Sequence, residues 1–440
     1  MTAGPAHGSN DPCCEDAGAP APPRTWSVDE HLADVLTGIA PLPPVELDLL
    51  DAQGCRLAAD VTAAVDLPPF DNSSMDGYAV RASDGAPAVL AVVGDIAAGA
   101  GELPEVGPGR AARIMTGAPV PPGADAVAPV EWTDGGTGTG TPADAMTAPV
   151  ADERVELLRP VAPGAHIRRR GSDISAGTTV LTAGTLLGPT QVGLLAAIGR
   201  GTAAVHPRPR VAVLSTGSEL VQPGESIGPG RISDSNSFTL TAAARAAGAE
   251  VTRIGGVPDD PAVLRRVLQE QFGRADLIVT SGGVSVGAYD VVKEALQPLH
   301  GGEDLGGVDF RRLRMQPGKP QGFGRIGKDG VPLLALPGNP VSAYISFELF
   351  VRPLIRTMLG APDVHRTVVR AVCTADLASP AGRRQFLRGR YGADGTVTPV
   401  GGAGSHLVGA LALADCLITV PEDTTVLPAG SGVDVVLLTD

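Results

Sequence analysis

Three apolar runs in this 440-residue chain end in glycine or small polar residues: Ser215-Thr216-Gly217, Ser281-Gly282-Gly283 and Pro337-Gly338-Asn339. Each alone is an ordinary turn. In a parallel sheet, however, the carboxyl ends of the strands share one edge, and ligands bind there. Glycine lets backbone N–H groups approach closely and hydroxyls add donors, so three such loops together predict a phosphate-bearing ligand. No GxGxxG follows a strand, and no GxxxxGK followed by Ser or Thr occurs, so neither standard nucleotide motif is in use. A GxSxG match centred on Ser285 would suit a serine-hydrolase elbow, with His300, His365 or His406 as its base. The pair Gly282-Gly283 already breaks the strand before Ser285, and short matches arise easily in a chain with 58 glycines.

The carboxylates form the second half of the pattern. Asp76 lies in PPFDNSSMDGYAV, where Asp-Gly is also a common hairpin turn. Glu219 follows Thr216 at capping-box spacing. Asp259 and Asp260 precede Pro261, and one of the two serves as an N-cap. Asp290 opens a helix, where an acid is favourable in any case. Acids facing phosphates repel them, so taken together they imply Mg²⁺ or another hard cation between the two sets of oxygens. The complementary charge comes from Lys319, held between Gly318 and Pro320, and from Arg168-Arg169-Arg170, whose bland reading is a solvated surface run.

These residues need elements to position them. Ser27 is a helix N-cap ahead of Val28, Leu32, Val35 and Leu36 at helical spacing. From about Leu47 to Val205, short β-like runs separated by Gly and Pro predict one or two β-rich modules, with a low-complexity loop at 135–149. From Val211 to Gly360, strands alternate with helices, which predicts a doubly wound parallel sheet. Beyond Gly360 only strands recur, suiting a small β-barrel. The fold class is therefore α/β plus β, multidomain.

A net charge of −14 argues against a general nucleic-acid binder, which would show a basic footprint. Mean hydropathy of +0.14 excludes wholesale disorder. With aromatics at 3%, the cores must be built from Val, Leu, Ile and Ala. No apolar stretch reaches membrane-spanning length and no signal pattern opens the chain, so a soluble protein without a membrane partner is expected. Five scattered cysteines (Cys13, Cys14, Cys55, Cys373, Cys416) suit reduced thiols in a cytoplasm. Residues 1–25 are expected to be a disordered tail.

In order along the chain, FDNSSMDGYAV, RIMTGAPVPPGADAV, IRRRGSDISAG, VLSTGSEL, SDSNSF, SGGVSVGAYD, QPGKP and LPGNPVSA resemble the molybdopterin molybdenumtransferase family, the MoeA-type molybdenum insertases that include the C-terminal domain of gephyrin. The resemblance runs from about Trp26 to Asp440. It implies four parts: residues 26–43 with 208–361 as an α/β molybdopterin-binding domain, 44–62 with 178–207 as a connecting region, 63–177 as a protruding β domain, and 362–440 as a barrel. It also implies Mg²⁺-dependent insertion of molybdenum from molybdate into adenylylated molybdopterin, with release of AMP. The implied assembly is a homodimer whose sites are shared between subunits, with the adenylyltransferase as a further partner.

Functional positions carry over to Asp76, Thr116, Asp173, Glu219, Asp259 and Asp290, of which Glu219, Asp259 and Asp290 would hold Mg²⁺. Ser342, with Lys319, Arg384 or Arg388, and Ser405, would form the oxyanion site for molybdate. The chain departs at Gln316, where many relatives carry lysine, and at Arg312, which keeps the charge. Two rivals stand beside this reading. The extra β modules and Asp76 argue against the adenylating enzyme that shares the α/β domain; retention of all six carried-over positions argues against an idle scaffold.

Overall fold

The Ser27 cap forms as its spacing predicts. In the computed structural model, which describes residues 24–146, 148, 153–283, 291–296 and 306–439, Ser27 Oγ accepts from Glu30 N–H and the Glu30 carboxylate accepts from Ser27 N–H. The helix Val28–Leu36 buries Val28, His31 and Val35. The tail through residue 23, Cys13, Cys14, the Ser285 motif, Asp290 and His300 lie outside the described residues. Of these, the chain divides into two compact units, one within Met1–Ile39, Pro209–Thr357 and Asp363–Asp440, the other within Ala40–Arg208 and Met358–Pro362.

The first unit is built on a seven-stranded sheet, ordered Thr25–Trp26, Val308–Leu313, Pro320–Ile326, Val331–Leu336, Leu277–Ser281, Arg210–Thr216 and Glu250–Val257. The last four run parallel, as the alternating pattern predicts. The sheet is nonetheless mixed, a correction to the purely parallel expectation. Val308–Leu313, Pro320–Ile326 and Val331–Leu336 form an antiparallel meander with no helix between them. Arginines in the first of these strands and glycines in the second hid them in the sequence. Gly324 shows why glycine is needed there: an added Cβ would lie 2.0 Å from Gly307 O. The core is aliphatic as expected, with Leu214, Leu264, Ile278 and Leu333 fully buried. The single long helix read after PGNP comprises Pro340–Ser346, a π-helical turn Phe347–Val351, and Arg352–Met358.

The C-terminal strands close into a barrel, because Arg384–Tyr391 pairs with both Thr396–Pro399 and Cys416–Val420. Cys373 and Cys416 are buried in its core and free, as Cys55 is in the second unit. Helix Val28–Leu36 ties to this barrel through Asp29, whose carboxylate takes two 2.8 Å bonds from Arg384. In the second unit, Gly77–Val80 sits inside a five-stranded sheet between Arg110–Ile114 and Ala126–Pro129, and a three-stranded sheet joins Val45–Asp48, Thr202–His206 and Arg56–Leu57. No helix among the described residues is long and apolar enough to cross a membrane.

His31 was not among the expected core residues. Its ring stacks edge-on against Phe350 at 4.7 Å, and Nδ1 lies 3.1 Å from Arg311 Nη1. Arg311 donates to Asp34 and Asp309 and covers the Trp26 ring at 3.9 Å. A guanidinium can only donate, so His31 Nδ1 accepts and the neutral ring is the folded form. Burial above all, and then the Arg311 charge, pushes the imidazole down to about 3 from an ordinary 6.5. A histidine that binds its proton more weakly when folded contributes stability that is full above about pH 6.5 and is lost as pH falls toward its folded value. Thermal melts should therefore show wild type losing stability between pH 6.5 and 4 more steeply than His31→Gln. Parallel pH profiles for the two would mean that His31 does not titrate on unfolding.

Candidate functional site

The strands Arg210–Thr216, Leu277–Ser281 and Val331–Leu336 lie side by side and parallel, so their carboxyl ends open onto one edge. A cavity of about 960 Å³ lies there, near the upper end of ordinary ligand sites. Ser215, Thr216, Gly217, Ser281, Gly282, Gly283, Pro337, Gly338 and Asn339 all line it, so the structure brings the three predicted loops together. Gly282 has φ of +92° and an added Cβ would sit 2.6 Å from Thr216 O, so only glycine permits this close approach. Ser215 Oγ and Thr216 Oγ1 are buried without a hydrogen-bond partner. Buried hydroxyls normally find partners, so these two point to a ligand that supplies them.

Glu219 and Asp259 line the same cavity. The capping reading of Glu219 fails, because the chain continues from Thr216 through a turn into the strand Leu220–Val221 and no helix begins there. Asp260 is the N-cap of helix Pro261–Gln269, accepting from Ala262 and Val263 N–H. That leaves Asp259, whose carboxylate accepts from Ser218 N–H at 2.9 Å while Ser218 Oγ accepts from Asp259 N–H at 3.0 Å. Among the described residues no group of three or more His, Cys, Asp or Glu could hold a metal by itself. Two carboxylates and orphan hydroxyls nonetheless fit Mg²⁺, which commonly takes one or two protein acids and completes its shell with phosphate and water.

Lys319, Ser342 and Ser405 line the cavity as expected. Arg384 and Arg388 do not, which corrects their placement. Arg384 is held by Asp29 and by Glu422 at 3.1 Å, while Arg388 is buried and donates to Gly402 O. Sequence reasoning missed Asn236, at the start of helix Asn236–Ala246. Its Nδ2 donates to Ser281 Oγ at 2.9 Å and to Gly338 O at 2.7 Å, pinning two of the loops to each other. The SDSNSF segment was the available signal. Gln316 and His406 also line the cavity.

Asp76, Thr116 and Asp173 belong to the second unit. Asp76 is exposed, and its Oδ1 accepts from Thr116 N–H at 2.6 Å and Thr116 Oγ1 at 2.8 Å. These bonds hold its carboxyl below the ordinary range. The hairpin alternative fails, since Asn72–Ser73 pairs with Ile167–Arg168 while Gly77–Val80 pairs elsewhere. Asp173 is exposed. Two of the three consecutive arginines are spent within the fold, Arg169 on Asp71 at 2.7 Å and Arg170 on Asp66 at 2.5 Å.

Three family models match the chain: MoeA N-terminal region (domain I and II) over residues 26–199, probable molybdopterin binding domain over 212–357, and MoeA C-terminal region (domain IV) over 370–438. Molybdopterin molybdenumtransferase 2 of Mycobacterium tuberculosis (strain ATCC 25618 / H37Rv) is 46% identical over 418 residues, covering 93% of this chain and 98% of that protein. The molybdopterin molybdenumtransferase of Haemophilus influenzae is 35% identical, covering 88% and 92% respectively. Among solved structures, a molybdopterin biosynthesis moea protein from Pyrococcus horikosii matches with a TM-score of 0.75 and 30% identity, over 95% of this chain and all of that one.

The orphan hydroxyl yields a test in which stability and binding move in opposite directions. Thr216→Val keeps the shape and removes an unsatisfied buried group, recovering about 1 kcal/mol or more of desolvation. Without ligand the variant should melt at or above wild type, while calorimetry should show weaker binding of pyrophosphate. Lower stability with unchanged binding would mean that the hydroxyl serves the fold alone.

Proposed function

The chain belongs to the molybdopterin molybdenumtransferase family, and from that premise we propose that it inserts molybdenum from molybdate into adenylylated molybdopterin and releases AMP. The observation that carries the reading is the convergence of three glycine and hydroxyl loops, two carboxylates and Lys319 on one cavity. The loops suit a phosphoanhydride, because backbone N–H groups and hydroxyls at strand ends stabilise anionic oxygens. Lys319, Ser342 and Ser405 suit a tetrahedral oxyanion, one charge with neutral donors beside it. Bringing molybdate to a dithiolene and stabilising a departing phosphate calls for proximity and charge neutralisation, with no protein nucleophile. In this reading Glu219 and Asp259, with Asp290 by resemblance, would hold Mg²⁺, which would neutralise charge on the phosphate oxygens when bound.

Strand pairing supports the four-part division implied by the resemblance. Val61–Thr62 pairs with Thr179–Leu181, and Val45–Asp48 with Thr202–His206, consistent with a connecting region formed by two separated segments. A cytoplasmic location is proposed with it, since the three described cysteines are free thiols.

Incubation with adenylylated molybdopterin, Mg²⁺ and molybdate should give molybdate-dependent AMP release. Asp259→Asn should slow it by about a hundredfold or more, the scale on which electrostatic stabilisers act. If AMP appears at the same rate without molybdate, or does not appear at all, the insertase reading is wrong.

We further propose a homodimer in which Asp76 of one subunit serves the cavity of the other, the adenylyltransferase being a further partner. Asp76→Ala and Asp259→Ala should each be inactive as homodimers. A purified mixed dimer would gather both lesions in one site and should regain about half of wild-type turnover, one intact site in a closed pair. A mixed dimer as inactive as its parents would exclude sharing.

A further inference from the structure

Glu219 reaches the cavity from a short arm, and its carboxylate takes no hydrogen bond or ion pair among the described residues. The backbone alone therefore aims it. That backbone leads into a two-stranded parallel ribbon, Leu220–Val221 with Ile232–Ser233. Ile232 N–H donates to Glu219 O at 3.0 Å and Asp234 N–H to Val221 O at 2.9 Å. So short a ribbon is marginal by itself and has to be held from beyond its ends. Arg253 holds it at both exits. Its Nη2 donates to Gln222 Oε1 at 3.2 Å, and Gln222 follows Val221. Its Nη1 donates to Ser237 Oγ at 3.1 Å and lies 4.0 Å from Asp234 Oδ2, and Asp234 follows Ser233. Asp234 is fully buried, and its carboxylate accepts from Ser237 N–H at 3.1 Å and from Ser237 Oγ at 2.5 Å. A buried carboxylate needs a cation close by, and Arg253 supplies it.

The strand that carries Arg253 is shaped for this contact. Its register against Arg210–Thr216 slips between Val213 and Leu214, which face Arg253 and Gly255, so Ile254 forms a bulge. Bulges re-aim side chains and gather beside active sites. Gly255 leaves the room, since a Cβ there would stand 3.0 Å from Arg253 Nη1 and 3.1 Å from Gln222 Nε2. The guanidinium also stacks on the Phe238 ring at 4.1 Å. We propose that Arg253 is a positioning residue that clamps both ends of the ribbon and thereby aims Glu219 at a divalent cation. This rests on the reading of Glu219 as a Mg²⁺ ligand and adds the side chains that hold that ligand in place.

Mn²⁺ serves as the probe, because its binding to the full-length protein is read by water-proton relaxation without any turnover. Gln222→Ala cuts the link to the arm and leaves the Arg253–Asp234 pair intact. It should melt like wild type and bind Mn²⁺ roughly tenfold more weakly, the usual weight of a residue that orients a metal ligand. Arg253→Met should weaken Mn²⁺ at least as much, and Arg253→Lys should restore part of the loss. In AMP release, Gln222→Ala should need more Mg²⁺ for the half-maximal rate and approach the wild-type rate at saturation. A residue serving the fold alone would not tie these losses to Glu219. In a Glu219→Gln background, neither Gln222→Ala nor Arg253→Met should weaken Mn²⁺ further. The proposal falls if Gln222→Ala binds Mn²⁺ as wild type does, or if both losses keep their full size beside Glu219→Gln. Glu219→Gln alone separates the two levels. If it weakens Mn²⁺ while Gln222→Ala does not, only the clamp fails; if it binds Mn²⁺ as wild type does, the reading of Glu219 as a metal ligand fails as well.

Discussion

Ser215 stands opposite Ser281 in parallel register, and Ser281 opposite Leu336, and the cavity depends on those pairings. Parallel strands deliver their carboxyl ends to the same edge, so the three loops converge without any loop having to reach. Backbone N–H groups can approach a ligand only where side chains are absent, which is why Gly282 stands against Thr216 O with no room for a Cβ. Asn236 then joins two of the loops through one amide, fixing the spacing that strand geometry sets only coarsely. Ser215 and Thr216 remain unsatisfied inside this frame. Holding buried hydroxyls ready costs stability in the empty protein and lowers the reorganisation needed when ligand arrives.

The C-terminal region reaches the cavity directly through Ser405 and His406 and also braces it from behind. Arg384 fastens it to helix Val28–Leu36 through Asp29, and the neighbouring Arg383 reaches Gln316. Two consecutive arginines thus have different partners, one on a helix and one on a residue that lines the cavity.

Much of the architecture was legible because its signals are local. The Ser27 cap, the Asp260-Pro261 helix start, the aliphatic parallel strands and the strand-only C-terminal region each follow from residues a few positions apart. The antiparallel meander was not legible, since Val308–Leu313 carries two arginines and Pro320–Ile326 two glycines, and neither gives a clean alternation. His31 was hidden for a related reason: a histidine at a buried helical position looks polar until its aromatic and arginine neighbours are known.

The carboxylates mark the same boundary. Residue types alone determined that this chain carries strand-end loops suited to phosphate, acids suited to a hard cation, and one lysine in a stiff turn. Tertiary structure decided which acids are free to act: Asp260 is consumed as a cap, whereas Asp259 and Glu219 face the cavity. It also withdrew Arg384, whose charge is engaged by Asp29 and Glu422, while Arg388 is buried and donates to Gly402 O. The physical reason is range. Helix caps, turns and strand alternation are satisfied within a few residues of the chain, while the partner of a charge is chosen by packing between segments that may lie hundreds of residues apart.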